Sequence, residues 1–255
     1  MIQAYGASDV GRFRKTNEDR FVSDPEVRFF AVADGMGGHS AGEVASRLAI
    51  ETICAFIRRS ERDPDFTWPY GVDGALSLDG NRLNTAIRLA NRCIYDAAEK
   101  SDDYSGMGTT FAGLLLNDSR VTIGHVGDSR LYLLSGGELR QLTQDDSWAA
   151  LMFARDPTLA ADDIAFHPMR NVLTNVLGTQ QQVEVHLSEQ ALQSGDVLLL
   201  CTDGVHGVLD SDTLRDLLGQ RLAVDATARI LLNTAMDRGS RDNVTALVVR
   251  FEAEP

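Results

Sequence analysis

Short apolar runs that end in carboxylates constrain this chain more than any other feature. Val27-Arg28-Phe29-Phe30-Ala31-Val32-Ala33 runs into Asp34-Gly35, and Asp196-Val197-Leu198-Leu199-Leu200-Cys201-Thr202 runs into Asp203-Gly204. Val121-Thr122-Ile123-Gly124-His125-Val126 runs into Gly127-Asp128-Ser129-Arg130. Continuous apolar runs of this length read as buried strands, and an Asp closing one is held rigidly where water reaches it. The neighbouring glycine tolerates unusual backbone angles and lets an ion approach a carbonyl. A single Asp-Gly is an ordinary turn. Three such ends, with no Lys at the tips, describe an oxygen-rich site suited to hard divalent cations.

The order of elements follows from periodicity. Strands are expected at 2–8, 20–23 and 27–33, then a helix opened by a Ser40-Ala41-Gly42-Glu43 capping box. That helix carries its apolar stripe from Ala41 through Val44, Leu48 and Ile53 to Phe56. Residues 60–80, with Pro64, Pro69, Gly71, Gly74 and Gly80, read as a loop before a second helix striped at Leu83, Ile87, Ala90 and Ile94. Strands follow near 108–116, 120–126, 129–134 and 138–142, with Ser135-Gly136-Gly137 as a hairpin turn. Residues 144–180 read as a short helix at Trp148–Phe153 and an irregular polar stretch. Strands at 183–187 and 196–202, helices at 211–219 and 225–238 stopped by Gly239, and a last strand at 244–252 complete the chain. Adjacent groups of strands with paired helices predict an α+β class with antiparallel sheets, a layered sandwich with helices outside two sheets, in one domain spanning 1–255.

Composition narrows the function. The net charge of −13 argues against nucleic acid and anionic membrane surfaces. No apolar stretch approaches the roughly 18 residues that would span a bilayer, and Met1-Ile2-Gln3-Ala4-Tyr5 is not the start of a signal peptide. Cys54, Cys93 and Cys201 each lie in an apolar run and cannot all pair, so buried thiols in a reducing cytoplasm are expected.

Two polar segments complete the pattern. Arg14-Lys15-Thr16-Asn17-Glu18-Asp19 sets adjacent carboxylates beside a guanidinium, whose planar fork suits a phosphate. Ser240-Arg241-Asp242-Asn243 lies between a helix stop and a strand. Taken with Val32-Ala33-Asp34-Gly35-Met36-Gly37-Gly38-His39, Met107-Gly108-Thr109-Thr110, Val126-Gly127-Asp128-Ser129-Arg130, Asn171-Val172-Leu173-Thr174 and Cys201-Thr202-Asp203-Gly204, they occur in a fixed order along nearly the whole chain. In this order the chain resembles the metal-dependent PPM (PP2C-type) protein serine/threonine phosphatases in their bacterial form.

The resemblance implies a four-layer αββα sandwich and a site for two Mn²⁺ or Mg²⁺ ions, with a third, weaker position in bacterial members. By position, Asp34 bridges two ions, Gly35 offers its carbonyl to one, and Asp203 and Asp242 complete the other. Glu18 and Asp19 bind directly or through water, Asp128 with Asp203 matches the third position, and Arg14 holds the substrate phosphate. The implied reaction is one-step hydrolysis of phosphoserine or phosphothreonine by a water between ions ~3.5–4 Å apart, without a phosphoenzyme. The implied setting is a monomer acting on the protein substrates of a cognate Ser/Thr kinase. The Trp68–Leu89 segment is similar to standalone phosphatases that accompany kinases of secretion systems.

Two departures stand out. Eukaryotic relatives often place a His directly after the Asp-Gly pair, where this chain has Met36; the leaving-group acid is left between His39 and a metal-bound water. Asp145-Asp146-Ser147 stands where many relatives read Asp-His-Ser, at the start of a flap over residues 144–180. Cysteine phosphatases are excluded, because no Cys is followed six residues later by Arg: Cys201 meets Gly207, Cys93 meets Glu99 and Cys54 meets Ser60. The five His residues are scattered without a zinc pattern. The alternative is a catalytically weak binding or regulatory module on the same fold. Loops on a rigid scaffold set specificity; exchanging 148–169 for a relative's segment is therefore expected to change phosphopeptide preference, and unchanged preference contradicts that role.

Overall fold

The computed structural model describes residues 1–38, 41–63, 66–156, 158–159, 164 and 167–253. The proposed Ser40 cap and His39 lie outside these residues. Two antiparallel sheets form the centre. The first has the order β1 (Ile2–Asp9), β11 (Val244–Phe251), β10 (Val197–Cys201), β7 (Arg130–Ser135), β8 (Glu138–Gln141). The second has the order β2 (Asp19–Asp24), β3 (Phe29–Met36), β5 (Phe111–Asn117), β6 (Arg120–Val126), β9 (His186–Ala191), and the two-residue β4 (Gly108–Thr109) pairs with the end of β3.

Strand alternation divides the apolar side chains into layers. Phe30 and Val32 of β3, Leu114 of β5 and Ile123 of β6 meet Leu131, Leu198, Leu200 and Leu247 of the other sheet in a closed inter-sheet core. Phe29, Ala31 and Ala33 face the opposite way, onto α1 (Ala41–Arg62) and α2 (Leu78–Ala98). Leu199, Cys201 and Val248 likewise face α5 (Ser211–Leu218) and α6 (Val224–Asp237). Two helices on each side of two sheets give the four layers expected.

Two shorter helices lie at functional positions: α3 (Trp148–Arg155) within 144–180, capped by the Ser147 hydroxyl, and the single turn α4 (Asp203–His206) directly after β10. The Asp203-Gly204 pair read as a turn thus begins a helical turn. The strand expected at 183–187 runs instead over 186–191; Val183 and Val185 pack against the α1–α2 core and carry the apolar signal without pairing. The stretch 60–80 is shorter as a loop than expected, since α1 runs to Arg62 and α2 begins at Leu78. Within it, Phe66 and Trp68 pack edge-on against Phe56. Cys54 and Cys201 are buried, whereas Cys93 is only partly so; none of the cysteines is in a disulfide. No described helix is long and apolar enough to cross a membrane.

Because Phe30 is fully buried between the sheets, Phe30→Ala is expected to cost about 3–5 kcal/mol of unfolding free energy in urea titrations. A loss below about 1 kcal/mol would show that the inter-sheet layer tolerates the cavity.

Candidate metal centre

One end of the sandwich gathers the strand-end carboxylates. A cavity of about 220 Å³ is lined by Arg14, Glu18, Asp34, Gly35, Met36, Gly37, Thr110, Asp128, Asn171, Leu173, Asp203 and Asp242. Asp19 lies opposite Asp34 in the β2–β3 register and is 1% exposed. Every residue proposed from the sequence as a ligand or phosphate contact is therefore in or beside one cavity. Asp34, Asp128 and Asp203, the strand-end carboxylates, are each partly exposed, whereas Asp19, at the start of β2, is sealed over.

The framework around these carboxylates is hydroxyl and amide chemistry. Asp34 donates its backbone N–H to a side chain, Thr110 Oγ1, at 3.0 Å. Its carbonyl accepts from Thr110 N at 2.9 Å and from Thr109 Oγ1 at 2.8 Å. Thr110 Oγ1 in turn lies 2.7 Å from Ser129 Oγ, next to Asp128. Thr202 Oγ1 donates to Asp19 Oδ2 at 2.9 Å, a bond between one sheet and the other. Asn243 holds the β1–β2 loop: its Nδ2 donates to Val10 O and Thr16 O, both at 2.9 Å, and its Oδ1 accepts from Glu18 N at 2.8 Å. That bracket sets Arg14 beside Asp242, with Nη2 to Oδ2 at 2.6 Å.

Gly35 is required by space rather than by torsion. A Cβ there would lie 2.1 Å from Gly42 O and 2.7 Å from Glu18 O, so any side chain would push α1 off the β2–β3 end. Gly127 differs: its φ of +94° is a left-handed conformation, with Thr110 packed against it.

Electrostatics make the cavity unfavourable for bare carboxylates. Burial raises the Asp34 carboxyl well above its ordinary range, and Asp19, Asp203, Asp128 and Asp242 raise it further. Burial likewise pushes Asp19 to about 7, against the hydrogen bonds from Thr245 and Thr202, and Asp128 to about 7 with help from Asp203. Asp203 and Glu18 are raised by burial as well, Asp203 also by Asp242. Arg14 is the cation at the cavity; its hydrogen bond to Asp242 raises its own pKa. His206 is no proton donor near neutrality. Burial lowers it to about 3, and its Nε2 lies 3.0 Å from Asp128 O, which the neutral ring's N–H can bond.

Among the described residues no three Asp, Glu, His or Cys side chains are drawn tightly enough to form a ready-made ion site. The donor chemistry nevertheless fits a divalent cation. Of the buried side-chain polar atoms without a partner among the described residues, two are Asp19 Oδ1 and Asp203 Oδ1; the third, Arg82 Nε, is elsewhere. Buried carboxylate oxygens without donors are costly, and a cation is the group that satisfies them. The larger cavity of about 590 Å³ at the other end of the first sheet offers no such oxygens, since Asp196 accepts from Gln193 N and Glu252 from Ser194 Oγ. Sequence reading named no role for Thr110, Thr202, Asn243 or His206, although each adjoins or lies within a motif that it singled out.

The raised carboxyls give a testable sign. Between an unfolded Asp value near 4 and about 7, the folded protein holds more protons than the unfolded chain, so stability falls as pH rises through that window. Without metal, the melting temperature is expected to drop from pH 5 to pH 8, and the gain on adding Mn²⁺ to grow over the same range. A flat or rising metal-free profile contradicts the burial of these carboxyls.

Comparisons with known proteins agree with this geometry. The Protein phosphatase 2C family profile matches residues 14–241. A serine/threonine phosphatase stp of Listeria welshimeri is 34% identical over 252 residues, covering 95% of this chain and 93% of that protein. The catalytic domain of the serine/threonine protein phosphatase PstP, solved with two manganese ions, superposes with a TM-score of 0.80 at 34% identity, covering 98% of this chain and 97% of the other. PppA, described as a key regulatory component of the type VI secretion system in Pseudomonas aeruginosa, gives a TM-score of 0.80 at 33% identity over 98% and 97% of the two chains. With its carboxylate-lined cavity at the end of an αββα sandwich, this chain belongs to the protein phosphatase 2C family.

Proposed function

We propose that this chain hydrolyses phosphoserine and phosphothreonine in proteins, with Asp34, Gly35, Asp203 and Asp242 holding two Mn²⁺ or Mg²⁺ ions and Asp19 and Glu18 supporting them. Asp128 and Asp203 would share a third. The observation that carries the reading is the pair of buried, donorless oxygens of Asp203, which lines the cavity with Arg14, and of Asp19 beside it. Bound there, the ions would supply Lewis acidity toward the phosphoryl oxygens and lower the pKa of water.

The chain's own residues do the rest. The Arg14 side chain is 51% exposed and presents a planar fork for two phosphoryl oxygens. The Thr110 and Asn243 brackets fix the carboxylates before substrate arrives, so little reorganisation is needed during reaction. Asn171 and Leu173, from the flap side, form the wall that faces the substrate. Among the described residues no imidazole lines the cavity, which leaves the leaving-group proton to water or to His39.

The reading extends to a monomer in the cytoplasm that reverses a cognate Ser/Thr kinase. Likeness to PppA supports a kinase tied to a secretion apparatus, and the −13 net charge fits protein substrates better than nucleic acid. Phosphate release from a phosphothreonine peptide should require Mn²⁺ or Mg²⁺, stop with EDTA, and fall roughly 100-fold or more in Asp203→Ala, the loss of several kcal/mol of charge stabilisation. Turnover that survives EDTA, or none with Mn²⁺ supplied, would move the chain to the binding-module alternative.

A further inference from the structure

The flap meets the sheets at its neck, where residues 144–146 are held by side-chain contacts. Gln144, Asp145 and Asp146 are each tied to the sheets by a different partner. Gln144 O lies 2.9 Å from His125 Nε2. Asp145 takes a two-point contact from Arg130, with Nη2 to Oδ2 at 2.6 Å and Nε to Oδ1 at 2.9 Å. Asp146 does more. Its Oδ2 accepts from Gly127 N at 2.9 Å and Asn175 Nδ2 at 2.8 Å, while its Oδ1 lies 2.8 Å from His186 Nε2. Its backbone N–H donates to Gly127 O at 3.0 Å, and its carbonyl accepts from Thr174 N at 2.8 Å.

Asp146 therefore touches both sides of the flap's neck, near residues 146 and 174–175, and holds Gly127 at both its N–H and its carbonyl. Gly127 is the residue before Asp128, and its left-handed φ of +94° aims the chain into the cavity. The carboxylate is only 14% exposed, so its bonds are little diluted by water. His186 stacks on His125 with ring centroids 4.9 Å apart, which fixes the imidazole that faces Asp146. This is also the position where the sequence departs from the Asp-His-Ser pattern.

We infer that Asp146 is a positioning residue for the phosphatase reaction, coupling the neck of the flap to the Gly127–Asp128 strand end, with His186 as its counter-group. The inference rests on the phosphatase reading above. Its Oδ2 holds the Gly127 N–H and the Asn175 amide at once, while its backbone N–H holds Gly127 O, so the flap neck and the strand end just before Asp128 move together. Removing the carboxylate frees the Gly127 N–H and the Asn175 amide, leaving the neck tied to Gly127 by the backbone bond to its carbonyl alone. The substrate wall at Asn171 and Leu173, a few residues before Asn175, then loses its register with the carboxylates of the cavity.

The test combines kinetics with hydrogen exchange on the full chain, comparing wild type, Asp146→Ala, Asp146→Asn and His186→Gln. With Mn²⁺, Asp146→Ala is expected to lose about 10–100-fold in kcat/KM on a phosphothreonine peptide and much less on p-nitrophenyl phosphate, which has no peptide to lie along the flap beyond the cavity wall. Asp146→Asn, which keeps one acceptor, should recover part of the loss, and His186→Gln should lose less than Asp146→Ala. In the metal-free protein, amides at 126–128 and 146–148 should exchange faster in Asp146→Ala while β1, β10 and β11 stay protected. Kinetics within twofold of wild type, equal losses on both substrates, or faster exchange spread over both sheets would each overturn the coupling. A wild type inactive with Mn²⁺ would instead overturn the phosphatase reading, and the exchange comparison alone would then decide whether Asp146 clamps Gly127.

Discussion

Mutual repulsion among buried carboxylates is the constraint on which this structure turns. Asp19, Asp34, Asp128 and Asp203 all have raised pKa values, each because burial disfavours the anion and most because another Asp stands close by. Left to themselves such groups would move apart or draw in water. They stay together because each sits at the end of, or opposite, a strand whose other residues are committed to a closed core. The fold thus pre-organises charge that it does not itself neutralise, and a cation completes the balance.

That arrangement needs both sheets. Asp19 and Asp34 come from the sheet containing β2 and β3, whereas Asp203 and Asp242 flank β10 and β11 of the other. Asp128 lies on the link between β6 and β7, where the chain crosses from one sheet to the other. The cavity exists only when the inter-sheet core of Phe30, Ile123, Leu200 and Leu247 is closed. The Thr202–Asp19 hydrogen bond ties the two sheets at the site itself, and Ser8, Thr245 and Asn17 extend the tie through hydroxyl and amide contacts. Stability and function therefore share one set of contacts at this end.

The strands and the carboxylates at their ends were legible because two physical rules coincide there. A buried strand must be apolar along its length, and a charge can appear only where it ends, so Asp34, Asp128 and Asp203 stand out against their runs. Thr110, Thr202 and Asn243 were opaque as individuals, since each acts through a few hydrogen bonds, to partners up to 233 residues away. No local pattern reports such a bond. β9 slipped in the reading for a different reason: Val183 and Val185 are apolar because helices cover them, and an edge strand with a polar face carries little signal of its own. The helical turn after β10 was hidden by Asp203-Gly204, whose composition is that of a reverse turn.

Most carboxylates of the cavity differ from the structural ones in having no cationic partner, Asp242 with Arg14 being the exception, and sequence does not show partners. In a chain with an excess of acid, Asp24 is paired with Arg58, Asp79 with Arg82, Asp145 with Arg130 and Asp146 with His186. Asp19, Asp34, Asp128 and Asp203 form no ion pair among the described residues. Asp128 and Asp145-Asp146 look alike as strings, each beside a turn and near an Arg. Folding gives the Arg130 guanidinium to Asp145 in a two-point contact and leaves Asp128 without a direct pair. The same arginine that could have neutralised Asp128 is thereby held at the flap neck, and the cavity keeps Arg14, paired with Asp242, as its cation.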